Sequence, residues 1–249
     1  MPKHSIETSE ESGVRYLHFG SEWIQGGMRI ARPWSLELEY TREMMGCLLL
    51  RPAKHWPRTV LQVGLGAASI TKWWYRNFPN THQTVVELNP NVVNMAYAQF
   101  KLPSDPERID IHIGDGVAWM EEGTSKFDCI MVDGYDQNAR FGALGTEEFY
   151  QSCRKRLTRQ GILTLNLFGR ARGFAQQIQY LRNAFDNRVL ALPALDEGNA
   201  IAYAADGEEV TVDLAQMRER APEIQLATGL KLLPTIARIE RAVRAGELQ

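Results

Sequence analysis

Along this chain, short apolar runs alternate with segments whose apolar positions recur every three or four residues, and the alternation persists from residue 59 to residue 185. The runs TVLQVG (59–64), QTVVEL (83–88), RIDIHIG (108–114), FDCIMVD (127–133) and GILTLNLF (161–168) predict strands. The segments SITKWWYRNF (69–78), NPNVVNMAYAQF (89–100), GVAWMEE (116–122), TEEFYQSCRKRL (146–157) and GFAQQIQYLRNAF (173–185) predict helices. Asn89 is placed to cap the second of them, and Pro90 suits its first turn. RVLALP (188–193) and AIAYAA (200–205) lie close together across the turn-like DEGN and predict an antiparallel edge, after which helical segments finish the chain. Upstream, VRYLHF (14–19) and MRI (28–30) predict a short hairpin with Gly26-Gly27 between its strands. A helical pattern over 36–50 follows, stopped by Pro52. No internal repeat or low-complexity stretch interrupts this order.

Five strand–helix units in series imply an α/β fold: a Rossmann-like, mostly parallel sheet with helices on both faces and right-handed crossovers. With the two late strands the sheet has seven members. The expected division is a short N-terminal β-hairpin and helix region over 1–52 and a Rossmann-like domain over 53–249.

Composition narrows the function classes. The chain has 249 residues, 44% of them hydrophobic, enough for one large core. Its formal net charge of −2 argues against a general nucleic-acid binder. No apolar stretch approaches the roughly 20 residues that span a bilayer, so no membrane partner is expected. The start, MPKHSIETSEESG, is polar and acidic and lacks a signal-peptide core. Cys47, Cys129 and Cys153 form no CxxC pair; they read as reduced thiols of a cytoplasmic protein with no metal site.

Ligands of such sheets bind beyond the carboxyl ends of the strands, near the point where strand order reverses. The residues there are Gly64-Leu65-Gly66, Glu87-Leu88, Gly114-Asp115-Gly116 and Asp133-Gly134-Tyr135-Asp136. Each has a plain structural reading. A Gly-x-Gly turn after a strand is needed for steric reasons alone, and here Ser69 replaces the third glycine of the dinucleotide fingerprint. Asp115 can simply cap the helix that follows, and Glu87 or the 133/136 pair can be solvated loop acids. The conjunction is more specific. Glu87 lies 23 positions after Gly64, where a carboxylate can accept from both hydroxyls of a ribose. Asp115 can accept from an adenine amino group. Two acids at one cleft mouth repel, and they call for a cationic partner. NAD gives no ready use for acids after both the third and fourth strands; an adenosyl sulfonium does.

At this point the chain resembles the spermidine synthase family of aminopropyltransferases. The matching segments are VLQVGLGAAS, VVELNPNVV, DPERIDIHIGDGVAWM, FDCIMVDGYD and EEFYQSCRKRLTRQGIL, spanning 60–166 in the right order, with weaker likeness upstream in EWIQGG and EYTREMM. The resemblance implies the class I methyltransferase fold, a homodimer, and decarboxylated S-adenosylmethionine as donor, with S-adenosylmethionine itself an open possibility. It implies that Glu87 binds the ribose, that Asp115 contacts the adenine, that Asp133 is the catalytic acid or base and that Asp136 helps hold a small-molecule amine. Gly64, Leu65, Gly66, Leu88, Gly116 and Gln25 complete the expected nucleoside site, and Tyr135 and Glu39 the expected amine site.

Three departures bear on substrate choice. Ala67 stands where the family has an aspartate that receives the donor's ammonium, so weakened discrimination between the two donors is expected, with Asp136, Glu37 or Glu39 as replacement acids. Thr41 stands at the tyrosine before the family's HEM or QEM, and Gln137 at a proline. Only about 50 residues precede the first sheet strand, fewer than the family's N-terminal β domain usually has.

The chemistry sets the roles. The acceptor amine is protonated at neutral pH, and freeing its lone pair costs on the order of 4 kcal/mol for a pKa near about 10. A carboxylate can hold that ammonium, take its proton and aim the nitrogen, and a metal would add nothing. Three classes stay open on sequence: an aminopropyltransferase, a methyltransferase on the same fold, and a non-catalytic nucleoside-binding relative, which retention of Asp133 and Asp136 disfavours.

Overall fold

The computed structural model describes residues 6–20, 23–51, 55–134, 141–208 and 210–245. Its elements are β1 (Ile6–Glu11), β2 (Val14–Phe19), β3 (Gly26–Arg29), α1 (Glu39–Met44), α2 (Cys47–Leu50), β4 (Thr59–Val63), α3 (Ser69–Asn77), β5 (His82–Glu87), α4 (Pro90–Phe100), β6 (Ile109–Ile113), α5 (Gly116–Glu122) and β7 (Phe127–Val132). There follow α6 (Glu147–Lys155), β8 (Leu157–Phe168), α7 (Phe174–Ala184), β9 (Val189–Ala191), β10 (Asn199–Ala205), α8 (Leu214–Thr228) and α9 (Leu233–Arg244).

The large sheet runs β6-β5-β4-β7-β8-β10-β9, with β10 antiparallel to both of its neighbours and every other pairing parallel. Strand order therefore reverses between β4 and β7, and the carboxyl ends of those two strands flank the crevice. Alternation through the sheet explains the unbroken apolar runs. Cys129 and Met131 of β7, with Ile201 and Tyr203 of β10, enter a core shared with α1, α2, α3, α8 and α9. Ile130 and Val132, with Ala202 and Ala204, enter the opposite core, built with α6 and α7. Strands buried on both faces show no polar alternation.

Two expectations are corrected. Gly26-Gly27 does not link the hairpin strands but lies within β3, and the N-terminal sheet has a third strand, β1. β1 pairs with β2 from Ile6↔Phe19 to Glu11↔Val14, yet it is exposed along nearly its whole length, so it carries no apolar alternation to reveal it. The helix expected over 36–50 divides into α1 and α2. Tyr203 of β10 donates its hydroxyl to the Glu43 carbonyl at 2.5 Å, and any side chain at Gly46 would strike that hydroxyl. The same carbonyl also accepts from the Gly46 N–H at 2.8 Å, an i+3 bond that closes α1 in a tight turn. Pro52, expected to end this segment, lies outside the described residues.

Lys72 of α3 is only 1% exposed, and its ammonium donates to the Phe100 carbonyl at 2.7 Å. Burial, aided by the charge of Lys101, lowers its pKa to about 7. An unfolded lysine titrates near about 10.4, so between these values the unfolded chain holds a proton that the folded chain lacks, and stability rises with pH. Below pH 7 both states are protonated and the penalty is constant. Urea melts should therefore show wild type gaining on Lys72→Met between pH 7 and 9, by at most about 1.4 kcal/mol per pH unit. A pH-independent difference would mean that the amine stays charged in the fold.

Candidate active site

β4 ends in Gly64-Leu65-Gly66, with Gly64 at φ +90° and Gly66 at φ +52°. A Cβ on Gly64 would lie 2.3 Å from the Asp133 carbonyl oxygen, so glycine alone lets the ends of β4 and β7 meet. Glu87 closes the turn from the side. It is 8% exposed; its Oε2 accepts from the Leu65 N–H at 2.8 Å and its Oε1 from the Asn89 N–H at 2.9 Å. Burial pushes its carboxyl above the usual range, and backbone N–H groups of Asn89, Leu65, Gly66 and Leu88 pull it back. The result is an acceptor fixed in place before any ligand arrives.

Asp133, the residue after β7, is held at both oxygens. Tyr40 of α1 donates its hydroxyl to Oδ2 at 3.0 Å, and Asn166 of β8 donates its amide to Oδ1 at 2.8 Å. Asn199, the first residue of β10, donates to Asn166 Oδ1 at 2.9 Å. Desolvation raises the Asp133 pKa, and the bonds from Asn166 and Tyr40 oppose it. No described Arg, Lys or His pairs with this carboxylate.

Tyr40 and Asn166 were not among the residues singled out from sequence. Thr41, at the family's tyrosine position, is buried with its hydroxyl on the Leu38 carbonyl; the phenol that meets Asp133 comes from one residue earlier. Asn166 is the amide in the largely apolar stretch LTLNLF, whose other polar residue is Thr164, and a buried amide there was its signal.

Asp115 takes the role of a helix cap: its Oδ1 accepts from the Val117 and Ala118 N–H groups at 2.8 and 3.1 Å. No bond to Oδ2 is seen among the described residues. Gly116 follows as the first residue of α5, packed against the Val63 side chain. Leu88 is largely exposed, as is Ile113, the partner of Glu87 on β6, so two apolar side chains stand at adjacent strand ends. Gln25 brings its backbone over the turn, its carbonyl 3.2 Å from where a Gly66 Cβ would stand.

Ala67 does not open to solvent. It is 3% exposed and packs with Leu17, Met28 and Phe100, while Gly26 approaches so closely that a Cβ there would lie 2.7 Å from that of Ala67. An aspartate at 67 would be buried among apolar groups, so its effect on packing has to be separated from any effect on donor choice.

Glu39 is not among the groups that touch Asp133. It lines a cleft of about 480 Å³ between α1 and the start of α9, together with Glu37, Glu43, Arg32, Arg42 and Lys231. In that cleft Glu37 pairs with Arg29, and Glu43 with Arg238. Tyr135, Asp136 and Gln137 lie outside the described residues. Among the described residues no three His, Cys, Asp or Glu side chains gather to hold a metal, and no helix is long and apolar enough to cross a membrane.

The spermine/spermidine synthase domain family matches residues 39–170. A polyamine aminopropyltransferase of Neisseria meningitidis is 35% identical over 90% of this chain and 85% of its own length. A crystal structure of a probable spermidine synthase from Corynebacterium glutamicum superposes with a TM-score of 0.71 at 19% identity, covering 91% of each chain. Human methyltransferase-like protein 13, solved in complex with SAH, superposes with a TM-score of 0.65 at 24% identity over 84% of this chain and 93% of its own; it shares the fold. With a match across more than half its length and a close relative along most of it, this chain belongs to the spermine/spermidine synthase family.

Proposed function

We propose that this protein transfers the aminopropyl group of decarboxylated S-adenosylmethionine to putrescine or a related amine, releasing methylthioadenosine, as a step of polyamine biosynthesis. The observation that carries this reading is Asp133. It is a half-buried carboxylate at the crevice mouth, gripped by two neutral donors and lacking any described cationic partner. Such a group favours an incoming ammonium.

In this reading Glu87 accepts from the ribose hydroxyls, Leu88 and Asp115 bound the adenine, and the turn 64–66 passes under the nucleoside with Gln25 at its side. The acceptor ammonium meets Asp133, which takes its proton. The freed lone pair attacks the methylene beside the sulfonium; a C–N bond forms, and the C–S electrons remain on sulfur. The leaving thioether is neutral and needs no acid. Asp136 and Tyr135 contact the amine, whereas Glu39 lines the cleft beside α9 instead. We also assign the protein to the cytoplasm as a homodimer. The three free, buried cysteines fit a reducing compartment, and the open edge of β1 offers a surface for a second copy.

The released thionucleoside tests the reading. The enzyme, incubated with putrescine and either donor, should yield methylthioadenosine from the decarboxylated one. Adenosylhomocysteine from S-adenosylmethionine would instead assign methyl transfer, the reading that the apolar surroundings of Ala67 keep in view, since no acid there repels a donor carboxylate.

A further inference from the structure

Asp133 accepts from Asn166, and Asn166 accepts from Asn199, so three polar side chains, one just past β7 and the others on β8 and β10, form one directed chain. Its direction follows from chemistry. A carboxylate only accepts, so Asn166 must turn its NH2 to Asp133; its carbonyl then faces β10, and Asn199 must present an NH2 in return. An Asn166 amide rotated by half a turn would aim its carbonyl at the carboxylate, exchanging attraction for repulsion between two acceptors. Asn199 is positioned by the antiparallel pairing of β10 with β8, in which it lies opposite Phe168 and Ile201 opposite Asn166. Asn166 is buried, so a rotated amide could not turn to water instead.

We propose that Asn199 is a positioning residue for the reaction: it locks the Asn166 amide so that Asp133 is kept ionised and aimed at the acceptor amine. The inference rests on the assignment of Asp133 as the proton acceptor. It adds a control exercised from the antiparallel strand, through a residue that need not touch either substrate. The groups that bear on the Asp133 charge among the described residues are Tyr40 from α1 and Asn166 from β8. On the same helix as Tyr40, Glu39, Arg42 and Glu43 line the separate cleft, Glu43 being paired with Arg238 of α9.

The informative substitution is Asn199→Asp, which keeps the size and removes the donor. Asn166 then faces a carboxylate on each side with a single NH2 group to offer. The titration of Asp133 can be read by carbon-13 NMR of labelled aspartate carboxyls, its signal identified by loss in Asp133→Asn. In Asn199→Asp the midpoint should rise by about one pH unit or more, and kcat should fall at neutral pH with affinity for methylthioadenosine unchanged. In Asn166→Leu the Asp133 midpoint should already be raised, and adding Asn199→Asp should then change it little. Asn199→Ser, whose hydroxyl can still donate, keeps the question open to measurement if the aspartate variant does not fold, and should hold the midpoint closer to wild type than Asn199→Leu does.

An unmoved midpoint in folded Asn199→Asp, or equal shifts with and without Asn166, would overturn the inference. A different failure, in which Asp133→Asn leaves turnover intact, would remove the assignment of Asp133 itself.

Discussion

Glu87→Ala should weaken binding of methylthioadenosine by about 10²- to 10⁴-fold, read by calorimetry. The figure corresponds to the loss of two charge-assisted hydrogen bonds, at up to about 1.5–3 kcal/mol each. The structure adds a reason for the upper part of that range. The same carboxylate already holds the Leu65 and Asn89 N–H groups, so its removal frees that turn as well as the proposed ribose contacts. Glu87→Gln separates the two roles: its carbonyl can still receive one backbone N–H, and its NH2 cannot accept at all. Its affinity should fall between wild type and the alanine variant. Because burial raises the Glu87 pKa, wild-type affinity should begin to decline on the acid side above the usual carboxylate range. Unchanged affinity in Glu87→Ala would place the ribose elsewhere.

Asp133→Asn should leave nucleoside affinity in place and reduce turnover by at least about 10²-fold, the low end for loss of a general base. The substitution is nearly isosteric but keeps one good acceptor where the carboxylate has two, so it cannot satisfy Tyr40 and Asn166 as before. It also cannot take the proton. The acid side of the pH–kcat profile should follow the same group. Desolvation raises the Asp133 pKa, so wild-type kcat should rise through a pH above the ordinary aspartate range, and that limb should vanish in the variant.

Stability should move the other way. A carboxyl whose folded pKa lies above its unfolded one contributes stability that is present below the unfolded value and lost as pH rises through the folded value. Once ionised, Asp133 is therefore a burden on the fold, and as pH rises through its raised folded pKa wild type should lose stability relative to Asp133→Asn. Slow turnover with collapsed nucleoside binding would make Asp133 a binding group and remove the proposed mechanism.

The sequence by itself determined the sheet and the strand ends that flank its crevice. Strands buried on both faces are mostly apolar, and tight strand-to-helix turns favour glycine, so TVLQVG, QTVVEL and FDCIMVD announce themselves locally. Glu87 and Asp133 could be picked out because each sits at the end of such a run. The acidic β1 could not, since an exposed edge strand owes its pairing to β2 and shows no pattern of its own. The break between α1 and α2 lies where Tyr203, 160 residues from Glu43 in sequence, packs against Gly46 and donates to the Glu43 carbonyl.

The environment of Asp133 was likewise decided only in three dimensions. Tyr40 and Asp133 are 93 residues apart in sequence, Asn166 and Asp133 33 apart, and Asn166 and Asn199 another 33. Position 67 makes the same point. Its alanine marks a missing acid in sequence, whereas its burial beneath Gly26 is a property of β3 lying on the turn. Local pattern records which face of an element is apolar. Which polar atoms meet depends on where separate strands and helices bring them, and hydrogen-bond direction is set there by the partners' donors and acceptors, which no single segment contains.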